Sequence, residues 1–312
     1  MGTGVITRKH RKKFRANEIS TKWNIIFTVF FTILAILTVL PLALVVIISF
    51  TSQESLARNG YSFFPDEWTL AAYANLMKTG SAMVDSYLIT IFYVFAGTLL
   101  SLFVMSMYAY VLAQKNFAPR RVMAFYTFFT TLFSGGLVPS YILNVRYLHL
   151  NDTVWIYILP SLVGAFNVII LRTFVQTSIP DTLFEAAKID GANDWTVYCR
   201  IVLPLFKAGL ATIGLFNVVS RWNDWFTGIL YIENPKLTPI MTFLQRIMKT
   251  IEFLKNNSDI ANTPDGMEML RSIPTESTRM AITVIATLPL LIAYPFFQKY
   301  FIKGMTVGSV KG

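Results

Sequence analysis

The chain has 312 residues, 54% hydrophobic and only 14% charged, with a mean hydropathy of +0.53. Soluble domains carry about 25% charged residues, so the composition argues against a soluble globular protein and for an all-α polytopic membrane protein. The formal net charge is +10, and its placement along the chain, set out below, accounts for it without nucleic acid as a partner.

Residues 1–24 form a basic arm with Arg8, Lys9, Arg11, Lys12, Lys13, Arg15 and Lys22. The apolar run Ile25–Phe50 is too long for a signal-peptide core, and no small-residue cleavage site follows it. It predicts an uncleaved first span with a kink at Pro41, since about 20 apolar residues cross a bilayer as a helix. Thr51–Asp85 is a polar loop whose aromatics are expected at the membrane interface. A second span is expected over Ser86–Gln114, with Gly97, Ser101 and Ser106 allowing close helix packing. A third is expected over Val122–Val145, broken by Ser134-Gly135-Gly136 and Pro139. The fourth is expected over Thr153–Leu171 and contains Pro160 and Gly164.

The polar stretch Glu185–Pro204, EAAKIDGANDWTVYCRIVLP, then separates two apolar runs. It is too long for a tight turn and has internal design. Asp181 is placed to cap a helix carrying Glu185, Ala186 and Ala187. Asp190-Gly191 reads as a break, because glycine tolerates positive φ. A second short helix is expected from Asn193 to just before Pro204. The single cysteine, Cys199, lies here, so no intrachain disulfide is possible.

The fifth span is expected from Ala208 to Ile232, interrupted by Arg221, Trp222, Asn223, Asp224 and Trp225. Charges inside a span face the bundle interior or water. Arg221 and Asp224 are spaced to pair on one helix face. Together with the two tryptophans and Asn223, they are the densest set of aromatic and planar polar groups inside a span and the candidate substrate path. Glu233–Arg279 is a long polar segment with an amphipathic stretch, Met241–Leu254. The sixth span is expected over Met280–Gln298, followed by a tail at 299–312.

Six spans put both termini on one side. Seventeen of the 27 Lys and Arg residues then share that side and ten lie opposite, which orients the termini and the Glu185–Pro204 loop toward the cytoplasm. The sequence holds no Gly-Lys dipeptide, so no Walker A phosphate loop. It also lacks GxSxG, HExxH and a cysteine cluster. Its two histidines, His10 and His149, fall on opposite faces in this topology. No catalytic constellation, metal site or cofactor site is expected in this chain.

The loop resembles the EAA loop of permease subunits of binding-protein-dependent ABC importers. Glu185, Ala186, Ala187, Asp190, Gly191, Ala192, Ile201, Leu203 and Pro204 match the pattern. Ala208 stands where the family often has a further proline. The tail is similar to the C-terminal signature of the carbohydrate-uptake branch of these permeases, through Gln298, Phe301, Gly304, Gly308, Lys311 and Gly312. The likeness is to the smaller permease of the maltose-type group, in the branch that imports complex oligosaccharides. It implies a type I importer permease fold over residues 25–312, with a coupling loop at 176–207, in a bacterial cytoplasmic membrane. It further implies a second homologous permease, two copies of an ABC ATPase that holds the ATP and Mg2+, and an extracytoplasmic solute-binding protein. The rival reading from the residues alone is an ion-coupled secondary transporter or a channel subunit, for which Arg221 and Asp224 are the only ionisable groups within a span.

Overall fold

The computed structural model describes residues 20–78, 81–257, 263, 264, 267 and 275–309. Nearly all of the basic arm, the final residues Lys311 and Gly312, and most of the turn-rich stretch after Asn257 therefore lie outside the described residues.

The described chain is helical, with one isolated β-bridge between Thr51 and Trp68. Helix α1 (Thr21–Ser49) is apolar on every side and continues across Pro41. Only its last turn is buried. The outer loop then folds into α2 (Gln53–Asn59) and α3 (Ala71–Lys78). The Ser52 hydroxyl caps α2 by accepting from Ser55 N at 3.1 Å, and Gly60 closes it at φ +65°. The Tyr61 hydroxyl donates to Glu276 Oε2 at 3.0 Å, and Glu276 pairs with Arg279, so this loop is tied to the start of the last helix.

Helix α4 (Ser81–Ala113) is the centre of the bundle and packs against most of the other long helices. Small buried residues, Ser101, Ser106 and Ala109, let neighbours approach it closely. The expected third span divides as foreseen. Helix α5 (Arg120–Leu132) meets α6 (Leu137–Ile142), which runs on as a π-turn over Leu143–Tyr147. The two arms are bent by 113°, and Gly136 sits between them at φ +87°.

The fourth apolar run departs from expectation. Val154–Tyr157 is a 3₁₀ turn and the chain stays irregular up to Gly164. Regular helix begins only with α7 (Ala165–Ser178), whose end lies beyond the expected Leu171. Pro160 removes a backbone donor and clashes with the preceding turn, so a continuous helix could not pass through it unaided. Periodicity alone did not reveal where the freed carbonyls find donors.

The polar loop supplies α8 (Asp181–Ile189), then α9 (Asp194–Val197), a π-turn Tyr198–Val202 and α10 (Leu203–Leu205). Helix α11 (Lys207–Trp222) leaves this run at 77° and is followed by α12 (Phe226–Tyr231). Helix α13 (Ile240–Asn256) is amphipathic, and α14 (Glu276–Ser309) ends the described chain, crossing both Pro289 and Pro295. The expected tail from residue 299 thus continues the sixth helix as far as Ser309.

Three helices among the described residues, Thr21–Ser49, Ala82–Ala113 and Glu276–Pro295, are long and apolar enough to cross a membrane, and two bent helix pairs, Arg120–Leu132 with Leu137–Tyr147 and Asp194–Leu205 with Lys207–Trp222, reach that length and apolarity only taken together. Two buried clusters fill the bundle. One, around Tyr93, Tyr157, Trp222, Ile240 and Ile282, joins α4, α11, α13 and α14 to the irregular segment before α7. The other, around Met105, Leu171, Val197, Tyr198 and Phe206, joins α4 and α7 to the polar loop.

Candidate functional site

The sharp reversal between α8 and α9 follows from four consecutive residues. Ala192 N–H donates to Ala187 O at 2.9 Å, and Gly191 N–H to Lys188 O at 3.1 Å. This pair of bonds is the Schellman closure of a helix, which needs a left-handed residue just past the end. Gly191 provides it at φ +75°, and a Cβ there would meet nothing within 4 Å. Glycine is therefore required for its dihedral, not for space. Asn193 immediately caps the next helix, its Oδ1 accepting from Thr196 N–H at 2.8 Å.

Asp181 does not cap α8. It occupies the first turn after Pro180, and its carboxylate pairs with Lys115 of the α4–α5 loop. The second helix does not stop before Pro204 either. The π-turn shifts the hydrogen-bond register, with Leu203 N–H donating to Tyr198 O, and the helix passes through Pro204 to Leu205. The break comes at Phe206, which is buried against Phe174. Gly209 gives that ring its space, since a Cβ there would lie 3.0 Å from Phe206 and 3.2 Å from Phe174.

The two alanines face opposite ways. Ala187 is buried in the inner cluster, beneath which Phe184 and Tyr198 both pack on Tyr110. Its small size lets α8 lie close to the bundle. Ala186, Glu185 and Asp190 are exposed. Beside Ala186 lie residues that the motif does not single out. Ile189 is 87% exposed, Trp195 54% and Leu183 39%. Leu183, Ala186 and Ile189 recur at three-residue steps and form one stripe along α8. That spacing was present in the sequence and is the signal that marks them. Leu203 and Ala192 are half-buried and Pro204 is exposed.

The break in the fifth span has a different character from the expected one. The Arg221 guanidinium donates to Tyr157 O at 2.6 Å, to Ser101 Oγ at 2.7 Å and to Ser161 O at 2.9 Å. Two of these acceptors are the carbonyls released by the irregular segment before α7. Arg221 is 5% exposed and makes no ion pair with Asp224. Asp224 Oδ1 instead accepts from Thr227 N–H at 3.0 Å and starts α12. Trp222 is buried and its indole donates to Ala286 O at 2.8 Å. Arg221 and Trp222 therefore hold helices together, and the paired ionisable groups that ion coupling would use do not form. Asn223 and Trp225 remain exposed, and the Lys249 ammonium of α13 lies 5.7 Å from the centre of the Trp225 ring. Lys249 is exposed and has no carboxylate within ion-pair distance among the described residues.

Of the tail residues, Gln298, Phe301, Gly304 and Gly308 lie on α14. No group of three or more potential metal ligands occurs among the described residues.

A family model described as "Binding-protein-dependent transport system inner membrane component" matches residues 69–307. The chain is 38% identical over 284 residues to the Bacillus subtilis polygalacturonan/rhamnogalacturonan transport system permease protein YtcP, covering 91% of this chain and 96% of the relative. It is 39% identical over 277 residues to protein LplC of the same organism, covering 88% and 90%. Among solved structures, a chain of a bacterial ABC transporter involved in the import of the acidic polysaccharide alginate superposes with a TM-score of 0.77 at 29% identity, covering 91% of this chain and 99% of that one.

Proposed function

The chain belongs to the family of binding-protein-dependent transport system inner membrane components, and from that premise we propose that it is the translocation subunit of an ATP-driven oligosaccharide importer. The observation that carries the reading is the polar loop. One of its faces is sunk in the inner cluster, while the other presents Leu183, Ala186, Ile189 and Trp195 exposed beside Glu185. An apolar stripe on a loop facing the cytoplasm calls for a protein surface, and an ATPase cleft is the partner consistent with the family. The Schellman turn sets the shape of the inserted knob.

In this reading, hydrolysis of Mg-ATP takes place in two separate ATPase subunits, and a second homologous permease completes the membrane unit. Both termini face the cytoplasm, and a solute-binding protein delivers sugar to the outer loops. Closure of the ATPase pair displaces the docked loops and moves the bundle between inward- and outward-open states. Such a partner shifts the equilibrium only by its unequal affinity for the two states. Relatives named for polygalacturonan, arabinooligosaccharides and alginate support a saccharide chain as cargo. On the outer side of the fifth-span break, Asn223 and Trp225 offer an amide and an aromatic face, and Lys249, with no ion-pair partner among the described residues, offers a positive charge suited to a sugar carboxylate.

The test is ATPase activity of the purified transporter, with its binding protein and with galacturonate and arabinose oligomers, in Gly191→Pro. Proline cannot take φ +75°. Loss of stimulated hydrolysis in an assembly that still co-purifies supports the reading. Undiminished stimulation and uptake refutes it.

A further inference from the structure

Two buried hydroxyl contacts on α4 face in different directions, one toward the polar loop and one toward the fifth-span break. Tyr198 is 2% exposed, and its hydroxyl lies 2.7 Å from Ser106 Oγ, itself 1% exposed. Ser106 has one proton, and Oγ donates it to Phe103 O at 3.0 Å. Tyr198 is therefore the donor of the shared bond. Five residues along, Ser101 Oγ accepts from Arg221. These two positions are separated by about 7.5 Å of helix rise and point to different sides of α4. The helix between them contains no proline.

On the loop side the contact reaches the surface. Tyr198 packs against Trp195 with ring centres 5.7 Å apart, and Trp195, on α9, is exposed like the stripe on α8. Apart from the solvent-exposed Asp181–Lys115 ion pair, which water screens, the buried contacts between loop and bundle are those of apolar side chains, such as Ala187, Val197 and Val202. Apolar contacts are non-directional and allow one element to slide on another. A buried donor–acceptor pair does not, because separating it leaves a polar group unpaired out of water.

We propose that Tyr198 is a positioning residue that locks the polar loop to α4, so that the two move as one body, and that Ser101 passes this movement to Arg221 at the fifth-span break. The inference rests on the reading of the loop as the coupling element. It adds the route by which displacement at Trp195 arrives at the outer half of the bundle. Ser106 and Tyr198 act as a unit. Removing the tyrosine hydroxyl leaves Ser106 still bonded to Phe103 O, whereas removing the serine hydroxyl strands the Tyr198 donor. Tyr198→Phe is therefore the milder variant and the better probe, and Ser106→Ala is the harsher one.

The experiment measures distances between spin labels in the assembled transporter. Labels are placed at Lys188→Cys and Leu88→Cys, both on exposed positions, in a Cys199→Ser background. Distance distributions are recorded without nucleotide and after trapping with ATP and vanadate. The expected result is one unchanged distribution in the parent and a shifted or split distribution in Tyr198→Phe on trapping, with Ser106→Ala and the double variant giving the same shift. A parent distribution that itself shifts on trapping, or a Tyr198→Phe distribution identical to the parent's, overturns the proposal. Failure of the coupling reading is seen separately, as stimulated hydrolysis that survives Gly191→Pro.

Discussion

Replacing Arg221 with methionine tests what the buried guanidinium does. The side chain is similar in length and apolar, so it keeps most of the packing and removes only the donors. Three acceptors lose a donor, Ser161 O, Ser101 Oγ and Tyr157 O, of which Tyr157 O keeps the Ser161 hydroxyl at 3.1 Å. The Ser161 carbonyl is backbone and is left without that donor, and the Ser101 oxygen is left as an acceptor without one. Each buried acceptor left unpaired costs about 1–3 kcal/mol. Against this stands relief from burying a charge whose Nε has no partner, a real desolvation saving of some kcal/mol. The orphaned Ser161 carbonyl and the lost charge-assisted bonds outweigh it, giving a net loss of about 1–2 kcal/mol. Unfolding of the purified subunit in mixed micelles, followed by tryptophan fluorescence across a denaturing-detergent titration, measures it. Arg221→Lys, with a single ammonium, should fall between. The reasoning is refuted if Arg221→Met unfolds at the parent midpoint or above it, because the irregular segment would then have other means of satisfying its carbonyls.

Gly97→Ala should weaken the same knot, since its Cβ would lie 2.9 Å from the Arg221 Nη1 that bonds Tyr157; the same titration should show a loss of about 1 kcal/mol, within the range for overpacking. Ile189→Asp should leave the unfolding midpoint unchanged, because the side chain is 87% exposed, yet it should abolish co-purification of the ATPase subunit. Lys249→Met should lower uptake of galacturonate oligomers by about tenfold through the loss of one charge-assisted bond, with neutral arabinose oligomers unaffected in the same vesicles. Equal loss for both sugars would mean that Lys249 does not read the carboxylate.

The turn chemistry of the loop was legible because it is local. Asp190, Gly191, Ala192 and Asn193 act on their own neighbours, and a Schellman closure followed by an Asn cap is encoded within those four residues. Ala187 could be assigned to a helix but not to a face, because the neighbour that buries it, α4, is distant in sequence. Pro204 misled for a related reason. Its clash with the preceding turn is genuine, but the π-turn before it changes the register, and nothing at the level of propensity announces that. The pairing of Arg221 with Asp224 was a sound local inference overridden by tertiary structure. Carbonyls 60 and 64 residues away competed for the guanidinium and won. Pro160 and Gly164 stand in a run that the sequence presents as one span, and the Arg221 bonds to the carbonyls of their irregular segment are too distant in the chain to be read from it.

The arginine knot also has an order in time. An arginine at the middle of a helix inserts from the translocon at a cost of about 2.5–3.5 kcal/mol, so the fifth span enters the bilayer reluctantly if it enters alone. Every acceptor that Arg221 uses lies earlier in the chain: Ser101, Tyr157 and Ser161. All three are therefore synthesised before Arg221, and the charge follows its acceptors toward the membrane. Reversing that order, by a circular permutation that makes the fifth span first, would expose the same arginine to lipid with nothing waiting for it.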